Sequence, residues 1–418
     1  MDNPAVKKNP VFLSLVLGAA ALSVVVGIVH SPGEAFSASL SGLQIWWQNV
    51  FPGLLPPLIL AELLAASGLL HGISTLAEPL TRGLFRLPGS AGWAIAFGWA
   101  AGIPAGAKET ARLRDNGLIQ DDEIDTVLLV SHLPNPFLVV LVIGCGFLQS
   151  PELGWSIAIG LWTSALIAGY WWARIGKPRK PKVPHIPVTQ TRALLVRALR
   201  ASADARKEDG RPLGKQLADS VTNAVGTLMT LGGLMIMSAV VIRLVQLFIP
   251  GNDLWLAFPG FYEMNLGAYE SSRSALFSSA PAQGAALIAC VLAWSGWSGL
   301  LQARAAFGSG AFPWLKVIAS RLLHGAIALV VTYFVASAAS SVSFKNLALG
   351  PWSVRWPATE AWVAEGPMPS GWGHLTQNLA IALVSFGIFL LLALLAAIIR
   401  PKPPKPHKSP PSSQPPME

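Results

Sequence analysis

The sequence predicts an all-α polytopic membrane protein with about eight transmembrane helices and two re-entrant hairpins, arranged as inverted repeats. Three observations lead there. Only 12% of the 418 residues are charged and 52% are hydrophobic, with a mean hydropathy of +0.51, whereas a soluble domain carries roughly 25% charged residues. Val11–Val29 and Thr376–Ile399 run without one ionisable side chain, and about 20 apolar residues cross roughly 30 Å of hydrocarbon as a helix. Two further apolar stretches are interrupted by glycine and proline and carry charge where a simple span would not. A soluble globular enzyme is excluded.

Apolar runs place the spans at about 11–29, 49–70, 126–147, 153–173, 218–248, 282–301, 322–340 and 376–399. The first follows Lys7 and Lys8, but its run exceeds the 7–15 residues of a signal-peptide core, so it reads as an uncleaved helix. Orientation follows from Lys and Arg, which accumulate in cytoplasmic loops. With the N-terminus inside, the inner loops hold Arg82, Arg86, Lys108, Arg112, Arg114, Arg304, Lys316 and Arg321, and the 174–217 linker adds twelve basic residues from Arg174 to Lys215. The outer loops 30–48, 148–152, 249–281 and 341–375 hold only Arg273, Lys345 and Arg355, with Arg243 near an outer span end and able to snorkel. Both termini are therefore expected in the cytoplasm.

Three polar pieces punctuate the chain. Residues 174–187 are rich in Lys and Pro, and Thr189–Ala205 interleaves Leu194, Leu195 and Leu199 with Arg192, Arg197 and Arg200, the pattern of an interfacial helix. The Pro-, Ser- and Lys-rich tail 401–418 is expected to be disordered. Trp352, Trp356, Trp362 and Trp372 in loop 341–375 suit the membrane interface.

The broken segments are the informative ones. Gly89–Lys108 contains Gly98, Gly102, Pro104 and Gly106 and has basic residues on both sides. A full crossing would strand one basic group outside, so the segment 89–108 reads as a hairpin entering from the cytoplasm. Residues 255–275, with Gly260 and Gly267, read as a second hairpin entering from the other face. The chain then divides into a first helix and outer loop (1–48), a first repeat (49–173), the basic linker (174–217), a second repeat (218–340), an outer loop (341–375), a last helix (376–400) and the tail. Corresponding breaks in two oppositely oriented units are the mark of an inverted-repeat transporter.

The residues at these breaks resemble a family. Gly102-Ile103-Pro104-Ala105-Gly106-Ala107-Lys108 is similar to the Gly-(Tyr/Phe/Ile)-Pro-x-Gly-Ala-Lys stretch of the YlbJ/SpoVV sporulation membrane proteins. Ser131-His132-Leu133-Pro134-Asn135-Pro136-Phe137, Gly260-Phe261-Tyr262-Glu263-Met264-Asn265-Leu266-Gly267 and Ser295-Gly296-Trp297-Ser298-Gly299-Leu300-Leu301-Gln302 resemble further stretches of that family, in the same order. The resemblance covers about 45–340 and departs in the Pro-rich tail and the high Trp content. It implies the nucleoside-recognition (Gate) domain superfamily, a fold like that of concentrative nucleoside transporters, and, for the sporulation branch, movement of dipicolinic acid across the outer forespore membrane.

Candidate substrate-binding residues follow from the breaks. Gly102, Pro104 and Gly106 free backbone amides beside Lys108, and amides with a cation suit a carboxylate; alternatively Lys108 only marks the inner edge. Ser131, His132 and Asn135 lie where Pro134 and Pro136 release carbonyls, with His132 the more ordinary core histidine. Glu263, Asn265 and Gly267 sit on the second hairpin, and Ser298 and Gln302 on a small-residue helix that could equally serve packing. Glu62 and Glu263 are coupling-ion candidates, since an intramembrane acid is expensive. Asp121, Asp122, Glu123 and Asp125 read as the charged start of a helix. No metal ligand set, cofactor motif or nucleophile–base pair stands out, and Cys145 and Cys290 lie in apolar segments. The expected function is transport of a small organic anion, dipicolinic acid by resemblance, with no enzymatic activity; a neutral-solute or nucleoside carrier and a non-transporting scaffold are the competing readings. Expected partners are the bilayer and the small-molecule substrate, with a homo-oligomer left open and nucleic acid excluded, because the net charge of +9 gathers beside spans.

Overall fold

The computed structural model describes residues 10–175, 191–248, 258–308 and 310–341. Every regular element among them is helical. The expected span 376–399, nearly all of the loop 341–375 and the tail 401–418 lie outside the described residues.

Helix α1 (Pro10–His30) coincides with the first expected span. The next stretch corrects the sequence reading. Residues 30–48 are not an outer loop: α2 (Pro32–Ile45), a π-helical turn (Trp46–Val50) and α3 (Phe51–Ala66) make one rod of 35 residues. Hydropathy understates this segment because of its serines, yet Ser41 Oγ donates to Ser37 O at 3.0 Å within the helix and needs no water. Pro52 cannot donate an N–H, and the rod absorbs that loss by a wide turn in which Phe51 N–H bonds to Trp46 O. Trp46 then donates from Nε1 to Leu228 O at 3.0 Å.

After Gly68, α4 (Leu69–Phe85) is amphipathic and receives α9 (Thr191–Asp209) on one side. Leu76, Leu194 and Ala198 form the contact, and Glu78 binds both Arg82 and Arg197. The stretch is therefore helical, and it docks on α4. Helix α10 (Leu213–Phe248) has 36 residues, about 54 Å at 1.5 Å per residue, so it exceeds the hydrocarbon thickness. Helices α8 (Pro151–Trp172) and α16 (Trp314–Ser341) pack side by side, Gly160 closing on Thr332.

Two expected spans are interrupted. Span 126–147 divides into α7 (Ile124–Ser131), non-helical backbone at 133–135 and a π-helical segment (Leu138–Phe147). Pro134 and Pro136 each lack an N–H and push the preceding residue towards extended backbone, which ends α7. Span 282–301 divides into α14 (Pro281–Trp294) and α15 (Gly296–Ala306), parted where Ser295 and Gly296 adopt φ of 67° and 69°. The first hairpin is α5 (Ala91–Ala101) and α6 (Ala105–Asp115), turning at Gly102. The second is α11 (Pro259–Tyr262) and α12 (Met264–Ser272), turning at Glu263, followed by α13 (Ala275–Ser279). Both pairs close on glycine: a Cβ on Gly98 would lie 3.0 Å from Gly106 Cα, and one on Gly267 would strike Gly260 Cα.

Among the described residues, five helical stretches are long and apolar enough to cross a membrane: Pro32–Ala66, Pro151–Trp172, Leu213–Phe248, Pro281–Ala306 and Trp314–Ala339. Among the described residues the protein is all-helical.

Candidate functional site

The hairpin turns and the two helix breaks meet. Asn135 ties the first pair together: its Nδ2 donates to Ala101 O at 3.2 Å, the end of α5, and its Oδ1 accepts from Leu138 N at 2.7 Å, the start of the π-helical segment. Gly102, with φ of 80°, lies directly against it, a Cβ there falling 3.1 Å from Asn135 Nδ2. The Ser131 carbonyl sits over Gly98 and Gly106, so α5, α6 and the end of α7 share one point. Ser131 Oγ lies 3.2 Å from Thr110 Oγ1.

The second pair joins through His132 and Gly296. His132 Nε2 is 3.1 Å from Gly299 O on α15. Gly296 is pressed beneath the second hairpin, a Cβ there falling 2.7 Å from Tyr262 O and 2.9 Å from Glu263 N. Met264, Ile103, Pro134 and Asn135 enclose a cavity of about 20 Å³, room for one water. A larger open groove of about 410 Å³ lies between α2, α10 and the second hairpin, and Leu266 forms part of its wall. Arg243 lines that groove and pairs with Glu34 at 2.8 Å, where the sequence suggested a snorkelling side chain.

Glu263 is buried and caps its own helix, Oε2 accepting from Leu266 N at 2.7 Å and Oε1 from Asn265 Nδ2 at 2.8 Å. A carboxylate at a helix N-terminus is where the macrodipole favours one. Asn265 is buried with Oδ1 unpartnered. Ser298 is buried in the first turn of α15, Gln302 is half-buried one turn on, and Gly267 closes the hairpin. Glu62 is half-buried on α3 and hydrogen-bonds Asn223 of α10. Two expectations change. Pro104 and Gly106 belong to the junction, but Lys108 is exposed on α6. Asp125 is not simply a helix-start charge: it is buried and accepts from Trp172 Nε1 at 2.7 Å.

Arg321 is the residue that the sequence reading misplaced. Counted there among loop charges, it is fully buried on α16, and its Nη2 donates to Leu128 O and His132 O, each at 2.7 Å. Those carbonyls lie at the C-terminal end of α7, where Leu128 O also accepts from His132 N at 3.0 Å. His324, one turn further on, places Nε2 3.2 Å from both Leu161 O and Ser164 Oγ. The spacing Arg321–His324–Ala328 along one helix face was the available signal. Among the described residues no group of three or more His, Cys, Asp or Glu could hold a metal ion.

No family model matches the chain, and no solved structure matches it. It is 32% identical over 341 residues to the sporulation integral membrane protein YlbJ of Bacillus subtilis (strain 168), covering 76% of this chain and 81% of that protein. With helices of membrane-spanning length and a match of that extent, the chain belongs to the YlbJ family of sporulation integral membrane proteins.

Proposed function

We propose that this protein is a secondary transporter of a small organic anion, with dipicolinic acid as the substrate, and that the substrate passes where the hairpin turns and broken helices meet. The observation that carries the reading is that meeting of interrupted backbone. Non-helical backbone at membrane depth is retained only where protein buries it or a water-filled path lines it, and transporters of inverted-repeat design bind solute between such discontinuous helices. The order hairpin, broken helix, long helix occurs twice: α5/α6, α7 and α8, then α11/α12, α14/α15 and α16. The similarity of the break motifs to the nucleoside-recognition superfamily and membership of a sporulation family support the same assignment. The excess of basic residues in one set of loops, with Arg321 removed from the count, still favours cytoplasmic termini; residence in the outer forespore membrane is part of the same proposal.

Substrate sign is argued from charge. Glu263 is occupied within its own helix, while α15 begins at Gly296 without a side-chain cap, beside His132, and a free helix N-terminus favours an anion. The test is uptake of radiolabelled dipicolinate into proteoliposomes, comparing the wild type with Asn135→Ala, and with uridine as competitor. Saturable uptake, insensitive to uridine and lost in Asn135→Ala, supports the proposal. Folded protein that takes up no dipicolinate, or that takes up uridine instead, overturns it.

A further inference from the structure

Arg321 holds more donors than the fold uses. A guanidinium carries five N–H groups and stays charged in proteins. Two are spent on Leu128 O and His132 O. Nε and Nη1 have no partner, although the side chain is fully buried. The groups packed around it do not balance its charge. From α7 and the break come carbonyls and the His132 ring; from its own helix comes His324, whose Nε2 is engaged with Leu161 and Ser164 of α8. The Nδ1 atoms of both histidines are unpartnered too. Among the described residues no carboxylate pairs with Arg321. The end of α7 offers roughly half an elementary charge, whereas a buried ion left uncompensated costs several kcal/mol.

We propose that Arg321 is the anchor of a buried anion site, taking one carboxylate group or one chloride ion through its Nε and Nη1 donors. The carboxylate source rests on the transport reading above; the chloride source does not. His132 links Arg321 to the junction, since its carbonyl binds the guanidinium and its ring binds Gly299 of α15. In the proposed site the anion meets Arg321 Nε and Nη1 once the His132 ring has left Gly299.

The experiment is a thermal-unfolding titration of the purified full-length protein, held at constant ionic strength in sodium methanesulfonate. Chloride, benzoate and dipicolinate are added in turn to wild type, Arg321→Lys and Arg321→Gln, with Lys207→Gln, exposed on α9, as a surface-charge control. The expected result is a saturable rise in the wild-type midpoint, weakened at least tenfold in half-saturation for Arg321→Lys, absent in Arg321→Gln and unchanged in Lys207→Gln. A response to chloride alone assigns a resident halide; a response to the carboxylates assigns the substrate group. If none of the three anions shifts the wild type, or if Arg321→Gln responds like it, the proposal is overturned and Arg321 is a helix cap. Should Arg321→Gln fail to fold, the wild-type and Arg321→Lys titrations still decide. Uptake separates the two proposals. Transport intact in Arg321→Gln removes Arg321 as the anchor of the substrate carboxylate and leaves transport standing, whereas an Arg321-dependent shift without any uptake does the reverse.

Discussion

Adding one methyl group at Gly106 should destabilise this protein more than most surface mutations could. The Cβ of an alanine there would overlap the Ser131 carbonyl, lying 2.5 Å from Ser131 C and 3.1 Å from His132 N. These are backbone atoms of the break in the first broken helix, so no rotamer change relieves the clash. Overpacking of this kind costs about 1–3 kcal/mol, and the upper end applies because the carbonyl is held between α5 and α6. The control is Gly83→Ala on α4, where nothing lies within 4 Å of the added atom. That change gains up to about 1 kcal/mol from helix propensity alone. Tryptophan-fluorescence melts of the purified variants should therefore move in opposite directions, with Gly106→Ala losing on the order of 5 °C or more. Coincident midpoints would refute the close approach of α6 to the α7 break, and with it the compact junction.

Three further perturbations test other parts of the structure. Thr332 presents a buried, unpartnered Oγ1 to Gly160, so Thr332→Val keeps the shape, removes an unsatisfied hydroxyl and should raise the unfolding midpoint by the equivalent of about 1 kcal/mol; a fall would place a partner on that hydroxyl. Glu78 holds Arg82 and Arg197 with only 10% of its side chain exposed, and Glu78→Gln should loosen α9 from α4 by about 1 kcal/mol, read as faster tryptic cleavage within α9; an unchanged cleavage rate would sink that link. Asp209, the last residue of α9, has its carboxyl held below the usual range by hydrogen bonds from Arg211 and Gln216. A depressed carboxylate stabilises above its unfolded value of about 4, so the α9–α10 junction should be insensitive to pH from 7 to about 5 and weaken only below about 4; an Asp209→Asn variant that keeps the full acid sensitivity would refute it.

Much of the junction could be seen in the sequence because backbone chemistry is local. Gly102, Pro104 and Gly106 announce a turn inside an apolar run, Pro134 and Pro136 forbid a continuous helix, and Gly260 and Gly267 mark the second hairpin. The break at Ser295 carried the same signal in Gly296 but was hidden by apolar residues on both sides. Other features depend on partners remote in the chain. Asp125 is settled by Trp172, 47 residues away, and Arg321 by carbonyls 189 and 193 residues away. Counting charges along a chain assigns such residues to loops, since an isolated arginine near a span end looks the same whether it faces water or the end of another helix. The helix of residues 32–45 was missed for a milder reason: serines bonded within their own turn read as polar.

The charges at the junction also bear on the proposed preference for an anion over a neutral solute. Each break carries a charge of the sign that its helix end prefers. Glu263 stands at the N-terminus of α12 and Arg321 at the C-terminus of α7, so each offsets the partial charge of a helix end. They are not equivalent. Both Glu263 oxygens are engaged by donors in its own turn, whereas Arg321 keeps Nε and Nη1 unspent. A solute entering this junction meets a saturated acid and an unsaturated base. The charged surplus is all donor, at Arg321 Nε and Nη1, while Asn265 Oδ1 is an unpartnered acceptor without charge, and that charge balance favours carboxylate over the neutral edge of a nucleoside. Reversing that surplus should reverse the preference: relieving Glu263 of its Asn265 partner by Asn265→Leu frees an acceptor in the junction and should weaken anion uptake even with Arg321 intact.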